Sequence, residues 1–414
     1  MSKIQIIKAR QILNSIGNPT IETQIVLDTG ISVKSSAPSG MSHAEFEAVE
    51  LRDEDLKKNN GLGVLNALKI VNEIITPKLI GLDVLDQAKI DRIMMELDGT
   101  PNKANLGSNT MLSVSVGVIK AAAASSRITL HNYIKQFVSR NSERRMPLPL
   151  FTILEGGKST LNTLNFQDFL LVPASSKSFS ESLELATTVY SSVKKLLVEK
   201  NRGVLVATRG GFSPNIGTNQ EALSLIRGAI DNSNLSFSLD VFLGLNCGAT
   251  SYYDGKVYKL SDRAISYNTE DLTNFYINLI SEFSLVYIED PVADNDWDGW
   301  KKIFSVLEKR TVIVGNDLIA TSPYRLQMAL DNKVIGGVVI KPGQVGTVTE
   351  ALAMIEIAKY SNLKITVSDR SGETEDDFIA DFAVGVGADY TKFGAPARER
   401  IAKYNRLLAI ETEI

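Results

Sequence analysis

Short apolar runs that meet a polar or charged residue recur through the second half of the chain, separated by segments of helical period. This alternation limits the fold more than any other feature. The runs are "FLLVPA", "GVLVA", "FSLDVF", "LVYIEDP", "VIVGND", "GGVVIK" and "KITVSD". From Asp240 onward the polar terminators fall at 289, 316, 341, 369 and 392, about one strand-plus-helix unit apart. Parallel strands covered on both faces read as unbroken apolar runs, and their alternation with helices at this spacing predicts a (β/α)8 barrel. A doubly wound sheet is the rival, but it needs binding glycines beside its first strand, and none stand there in the right pattern. Helix start signals fit the alternation. Thr347 with Glu350 reads as a capping box, and Ser322-Pro323 as an N-cap with proline in the first turn.

The first third has a different texture. Residues 3 to 36 are strand-like, and "TIETQIVLDTGISVKSSA" reads as a hairpin folded at Asp28-Thr29-Gly30. From 43 to 138 the period becomes helical, as in "GVLNALKIVNEIITPKLI" and "MLSVSVGVIKAAAASSRITLHNYI". Strands followed by helices predict an α+β capping domain over 1–138. The polar "SRNSERRMPLP" then serves as the linker into a barrel domain over 139–414. With 414 residues, 44% of them hydrophobic, the chain can bury two sizeable cores. A net charge of −4, with no Lys/Arg cluster interleaved with aromatics, excludes a nucleic-acid binder. The longest apolar stretches carry polar breaks and fall short of a membrane span. The N-terminus has no signal-peptide core, and the single Cys247 suits a reducing compartment, so a cytoplasmic location is expected. Two histidines, His43 and His131, exclude a histidine-built zinc site. His131 lies in an apolar helical pattern and reads as structural.

Barrel enzymes carry their chemistry at the C-terminal strand ends, so the terminators are the informative residues. They are Gln167 with Asp168, Arg209, Asp240, Glu289, Asn316 with Asp317, Lys341, Asp369 with Arg370, and Lys392. One of these alone would be a capping or solvated group; the succession reads as a site. Asp240, Glu289 and the side-chain oxygen of Asn316 offer hard ligands from three adjacent strands, as Mg²⁺ requires. Asp317, next along the chain, is expected to face the other side and to be a poor substitute. Lys341 sits where burial and nearby cations would lower its pKa enough for a base. Arg370-Ser371 with Lys392 would hold an anion such as phosphate. The acidic run Glu373, Glu375, Asp376, Asp377 reads as carboxylates at a helix N-terminus.

Seven separated motifs, in order, resemble the enolase family, the phosphopyruvate hydratases of glycolysis: "ARQILNSIGNPTIE", "SAPSGMSHAEFEAVELRD", "LNFQDFLLVPA", "GGFSPN", "IEDPVADNDWDGW", "SDRSGETEDDFIADFAVG" and "RIAKYNRLLAIE". The resemblance implies an α+β capping domain on a modified barrel, Mg²⁺ as cofactor, and a phosphorylated small carboxylic acid such as 2-phosphoglycerate or phosphoenolpyruvate as substrate. A lysine base removes the proton beside the carboxylate, and a glutamate protonates the departing hydroxyl. By resemblance Lys341 is the base, Lys392 the second lysine, and Asp240 and Glu289 two of three metal carboxylates. Gln167, Arg370 and Ser371 bind substrate, and Ser42 is the lid serine at a second Mg²⁺.

Other positions depart from the family pattern. Arg209 stands where the proton-donating glutamate is expected, and arginine cannot give up its proton. Asp369 replaces a histidine, and Ser159, preceded by Lys158, replaces the catalytic-loop histidine. Asp168 replaces a glutamate, and Asn316 replaces the third metal carboxylate. The lid loop reads Met41-Ser42-His43-Ala44 without the family's glycine. Arg209 and Asp369, a cation and an anion with signs exchanged, are expected to form a salt bridge across the barrel mouth. Two functions follow from the resemblance: a hydratase with weakened or altered activity, or a catalytically inactive derivative that binds or regulates. A homodimer is expected from the family, with Arg10 and Glu22 kept from its ionic contacts.

Overall fold

The computed structural model of the chain describes residues 2–41, 45–138, 145–160 and 163–414, with Ser159 described by its backbone alone. Strands β1 (Ile4–Leu13), β2 (Pro19–Leu27) and β3 (Ser32–Ser36) form an antiparallel sheet in that order. The expected hairpin closes where the sequence places it. Gly30 sits at φ 83, a conformation that favours glycine, and Leu27 N–H donates to the Ile31 carbonyl at 2.9 Å. Alternate residues of β2, Ile21, Thr23, Ile25 and Leu27, are buried against the helix Ser108–Ser126. At Gly117 the sheet comes so close that a Cβ would lie 2.8 Å from both Ile25 Cδ1 and Ser35 Oγ. That helix ends at Arg127, at φ 54, before the short helix Leu130–Ile134. Buried His131 packs there 3.5 Å from Asp381.

The second part is a nine-stranded barrel: β4 (Leu148–Pro149), β5 (Phe151–Glu155), β6 (Asp168–Pro173), β7 (Val241–Asn246), β8 (Leu285–Glu289), β9 (Val312–Gly315), β10 (Gly337–Ile340), β11 (Lys364–Ser368) and β12 (Tyr390–Lys392). Their spatial order is β4-β12-β11-β10-β9-β8-β7-β6-β5. The predicted barrel is therefore present, but mixed: β6 runs antiparallel to both β5 and β7, while β7 to β12 are parallel and β12 pairs with β4. Leu150, Leu170, Val172, Tyr287, Val314 and Val339 fill one internal layer of it.

Reversal of β6 decides which residues reach the mouth. The start of β6 lies beside the ends of its neighbours: Glu155 pairs with Asp168, Asp168 with Asn246, and Asn246 with Glu289. The run "GVLVA" is not a strand. Val204, Leu205 and Val206 are exposed in the connection between helices Phe179–Glu199 and Asn219–Asp231, where Val206 makes a lone bridge to Phe212. Thr347 accepts from Glu350 N–H, one half of the expected capping box, while Glu350 takes the Thr347 hydroxyl at 2.7 Å; Ser322 makes no side-chain cap and Pro323 starts its helix. Trp300, fully buried, donates from Nε1 to the Ala293 carbonyl at 3.0 Å. Among the described residues no single helix is long and apolar enough to cross a membrane. Arg10 and Glu22 face each other on β1 and β2 and pair within the chain at 2.6 Å.

Candidate functional site

At the barrel mouth, Gly40, Glu47, Gln167, Arg209, Asn316, Asp317, Lys341, Asp369, Arg370 and Ser371 line one pocket. Three of these residues, Asn316 among them, follow directly on a strand end. Lys341 succeeds β10 and Asp369 succeeds β11, while Lys392 closes β12. Arg209 comes instead from the 203–213 connection, and its turn is held from both sides. Glu155, at the end of β5, accepts from the N–H groups of Arg209 and Gly211 at 3.0 and 2.8 Å. Ala395 N–H donates to the Arg209 carbonyl at 2.8 Å, and Gly210 turns at φ 89, a region closed to most side chains.

Nearly every charge here has a partner within the protein. Arg209 Nη1 donates to Asp168 Oδ2 at 2.7 Å, with both groups buried. Asn246 Nδ2 donates to the same oxygen at 3.0 Å and to Gln167 Oε1 at 3.1 Å. Lys392 Nζ lies 2.5 Å from Glu289 Oε2 and 3.9 Å from Asp168. The Tyr287 hydroxyl, two residues earlier on the same face of β8, donates to Glu289 Oε1 at 2.6 Å. Arg370 Nη2 meets Glu47 at 2.6 Å and Glu50 at 3.7 Å, both from the N-terminal part. The expected Arg209–Asp369 bridge does not form, because each group has another partner: Arg209 takes Asp168, and Asp369 takes Arg400 at 2.6 Å. So packed, the pocket leaves a cavity of about 10 Å³, roughly the space of one water. A neighbouring cavity of about 40 Å³ touches Lys341, Arg370, Glu373 and Phe378.

Burial works against the charge of Arg209, but Asp168, Asp369, Glu155 and Glu289 more than offset it and raise its pKa further above the ordinary value. Burial lowers the Lys341 amine to about 8; Asp317 opposes this, while Arg209, Arg370 and Lys392 add to it. Burial and the charge of Asp168 push Glu155 up to about 8, against Arg209 and the two N–H donors. Asp369 is raised by burial and Glu373 despite Arg400. Glu155 therefore holds a proton in the folded state that the unfolded chain has released, so its contribution makes stability fall as pH rises from about 4.5 to about 8. Thermal unfolding across that range should show Glu155→Gln losing a slope of up to about 1.4 kcal/mol per pH unit.

Four further expectations need correction. Asp240 does not reach the site. It precedes β7, which runs parallel to β8, and so lies at the opposite end of the barrel, half-buried and paired with Lys177 at 2.9 Å; that contact lowers its pKa. The residue at the mouth end of β7 is Asn246. Asp317, expected to turn away, lines the pocket beside Asn316, because β9 ends at Gly315 and strand alternation no longer applies. Lys158 lies exposed in a short 3₁₀ turn and does not line the pocket. The run from Glu373 does more than precede the helix Phe378–Gly385: Asp376 pairs with Lys120 at 2.7 Å and accepts from Ser36 N–H, and Glu373 pairs with Lys403 at 3.1 Å. Ser42, His43 and linker residues 139–144 lie outside the described residues, as does the Ser159 side chain. Sequence reasoning missed Glu155, Glu47, Asn246 and Arg400. Glu155 carries the terminator signature in "FTILEGG", and Asn246 carries it in "VFLGLN"; Glu47 and Arg400 have no local signal.

The donor set does not fit Mg²⁺. Magnesium needs at least one or two free carboxylates in near-octahedral array, and of the strand ends at Asn246, Glu289 and Asn316 only Glu289 is a carboxylate. Both its oxygens are engaged, one by Tyr287 and one by Lys392. Among the described residues no group of three or more His, Cys, Asp or Glu side chains could hold a metal. The buried Oδ1 atoms of Asn246, Asn316 and Asp168 lack hydrogen-bond partners, and a hydroxyl or a water satisfies such acceptors without added charge.

Comparison with known families agrees with this architecture over most of the chain. Residues 4–134 match the model described as enolase, N-terminal domain. Residues 143–414 match that described as enolase, C-terminal TIM barrel domain. The three-stranded antiparallel sheet falls within the first match and the mixed barrel with reversed β6 within the second, and the chain belongs to the enolase family.

Proposed function

We propose that this chain is an enolase-family protein whose pocket binds a phosphorylated small carboxylic acid, of the 2-phosphoglycerate and phosphoenolpyruvate kind, while hydro-lyase turnover is lost or strongly weakened. The observation that carries this reading is the Arg209–Asp168 pair at 2.7 Å. A permanent cation bonded to a carboxylate stands where a departing hydroxyl needs a proton donor, and loss of a positioned acid costs about 10²–10⁴-fold. Lys341 is suited to abstract a proton, since its amine is neutral above about pH 8. Without a donor, and without ligands for the cations that hold the dianion, that step leads to no product. Anion recognition has better support: Arg209, Lys341 and Arg370 converge on the pocket that Ser371 and Gln167 also line. We place the capping domain at 1–138 and the barrel at 139–414.

In this reading Glu47 is the ligand's competitor, because it occupies the Arg370 guanidinium that would grip a phosphate. Calorimetric titration with 2-phosphoglycerate should give saturable binding. Arg370→Ala should weaken it about ten-fold or more, as expected for a lost charged hydrogen bond, and Glu47→Gln should tighten it. Absence of binding in the unmodified protein would remove the reading.

A further inference from the structure

We infer that this pocket takes its phosphorylated carboxylate without a divalent cation, the Lys392 ammonium seated on Glu289 supplying the positive charge at the strand ends. This rests on the reading that the pocket binds such an anion. Three observations carry it. The adjacent ends of β7, β8 and β9 offer two neutral amides, Asn246 and Asn316, around a single carboxylate, Glu289. That carboxylate is already matched by a fully buried ammonium at 2.5 Å and by a tyrosine hydroxyl at 2.6 Å. The other mouth carboxylates are matched likewise: Asp168 by Arg209, Asp369 by Arg400 and Glu47 by Arg370, while Asp317 acts on Lys341.

A divalent cation entering this ring finds Glu289, Asp168, Asp369 and Glu47 already paired, and to reach Glu289 it would have to displace Lys392 toward Asp168, which Arg209 holds. Even changes one layer out from a metal typically cost about 10–100-fold in affinity, and the change here is in the ligands themselves. An anion entering from the Arg370 side has Glu47 to displace, a side chain from the N-terminal part. Arg209, Arg370 and Lys392 lie close enough to Lys341 to act on its charge, and displacement of Glu47 frees Arg370.

The test uses the full chain. Mg²⁺ alone, against a sodium control of matched ionic strength, should leave the thermal midpoint unchanged; a saturable rise overturns the inference. Titration with 2-phosphoglycerate in excess EDTA and in millimolar Mg²⁺ should give dissociation constants that agree within about two-fold, whereas tightening by Mg²⁺ of the order of ten-fold or more overturns it. Binding seen only with Mg²⁺ leaves the anion reading standing and removes the inference; binding in neither condition removes both. The paired change Lys392→Met with Glu289→Gln, which leaves no buried charge alone, should weaken 2-phosphoglycerate about ten-fold at a preserved midpoint. Unchanged binding would contradict the role given to Lys392. Asn246→Asp with Asn316→Asp should gain a saturable Mg²⁺-dependent rise in midpoint, and a folded double variant indifferent to Mg²⁺ counts against the inference.

Discussion

Arg400→Ala should abolish folding at ordinary temperatures or lower stability by about 5 kcal/mol or more, the larger of the two main effects expected here. Arg400 is fully buried. Its guanidinium donates to Asp369 at 2.6 Å and to the carbonyls of Arg370, Ser371 and Thr208 at 2.8, 2.6 and 2.8 Å. Removing one partner of a buried ion pair typically costs about 3–5 kcal/mol, and each stranded buried acceptor adds about 1–3 kcal/mol. Arg400→Lys, which keeps the charge but not the planar fork, is the variant to measure. Denaturant unfolding should place it between the parent and the alanine form, with partial recovery when Asp369→Asn is added. A loss under about 1 kcal/mol for Arg400→Lys would show that the guanidinium is not what ties these strand ends together.

The second large effect belongs to Arg209→Ala, expected to cost about 3 kcal/mol, the lower end for a broken buried pair. The lower end applies because Asp168 keeps the Asn246 amide at 3.0 Å and Lys392 at 3.9 Å. Asp168→Asn in the same background removes the stranded charge. A double-mutant cycle should therefore show a coupling of about 1–3 kcal/mol. Additivity would mean that Arg209 and Asp168 do not depend on each other, and that Arg209 is held by Glu155 and its turn alone.

These two arginines show what could and could not be read along the chain. The barrel was legible because covered parallel strands make unbroken apolar runs, and Glu289, Lys341 and Lys392 follow such runs at a steady spacing. Asp240 misled because "SLDVFLGLN" has a polar residue near each end, and only strand direction tells which end opens on the mouth. In β7 that is Asn246; in β6, which is reversed, it is Asp168 at the start. The run "GVLVA" has strand-like composition but pairs back locally, through the Val206–Phe212 bridge, outside the barrel sheet, and Val204, Leu205 and Val206 remain on the surface. Glu155 and Arg209 are 54 residues apart, Arg209 and Asp168 41, and Asp369 and Arg400 31. No local period encodes such pairs. The charges of Arg209 and Asp369 were visible in the sequence, but their partners were set by the fold.

We propose that a fixed Arg209–Asp168 pair, with Glu289 the single carboxylate among the ends of β7, β8 and β9, leaves an enolase-family pocket able to hold its ligand with dehydration lost or strongly weakened. Formation of the enol product from 2-phosphoglycerate by the unmodified protein in millimolar Mg²⁺, followed by ultraviolet absorbance, tests it most directly. The predicted result is no rate above a protein-free control. Turnover near a common enzymatic rate of about 10 s⁻¹ would contradict it.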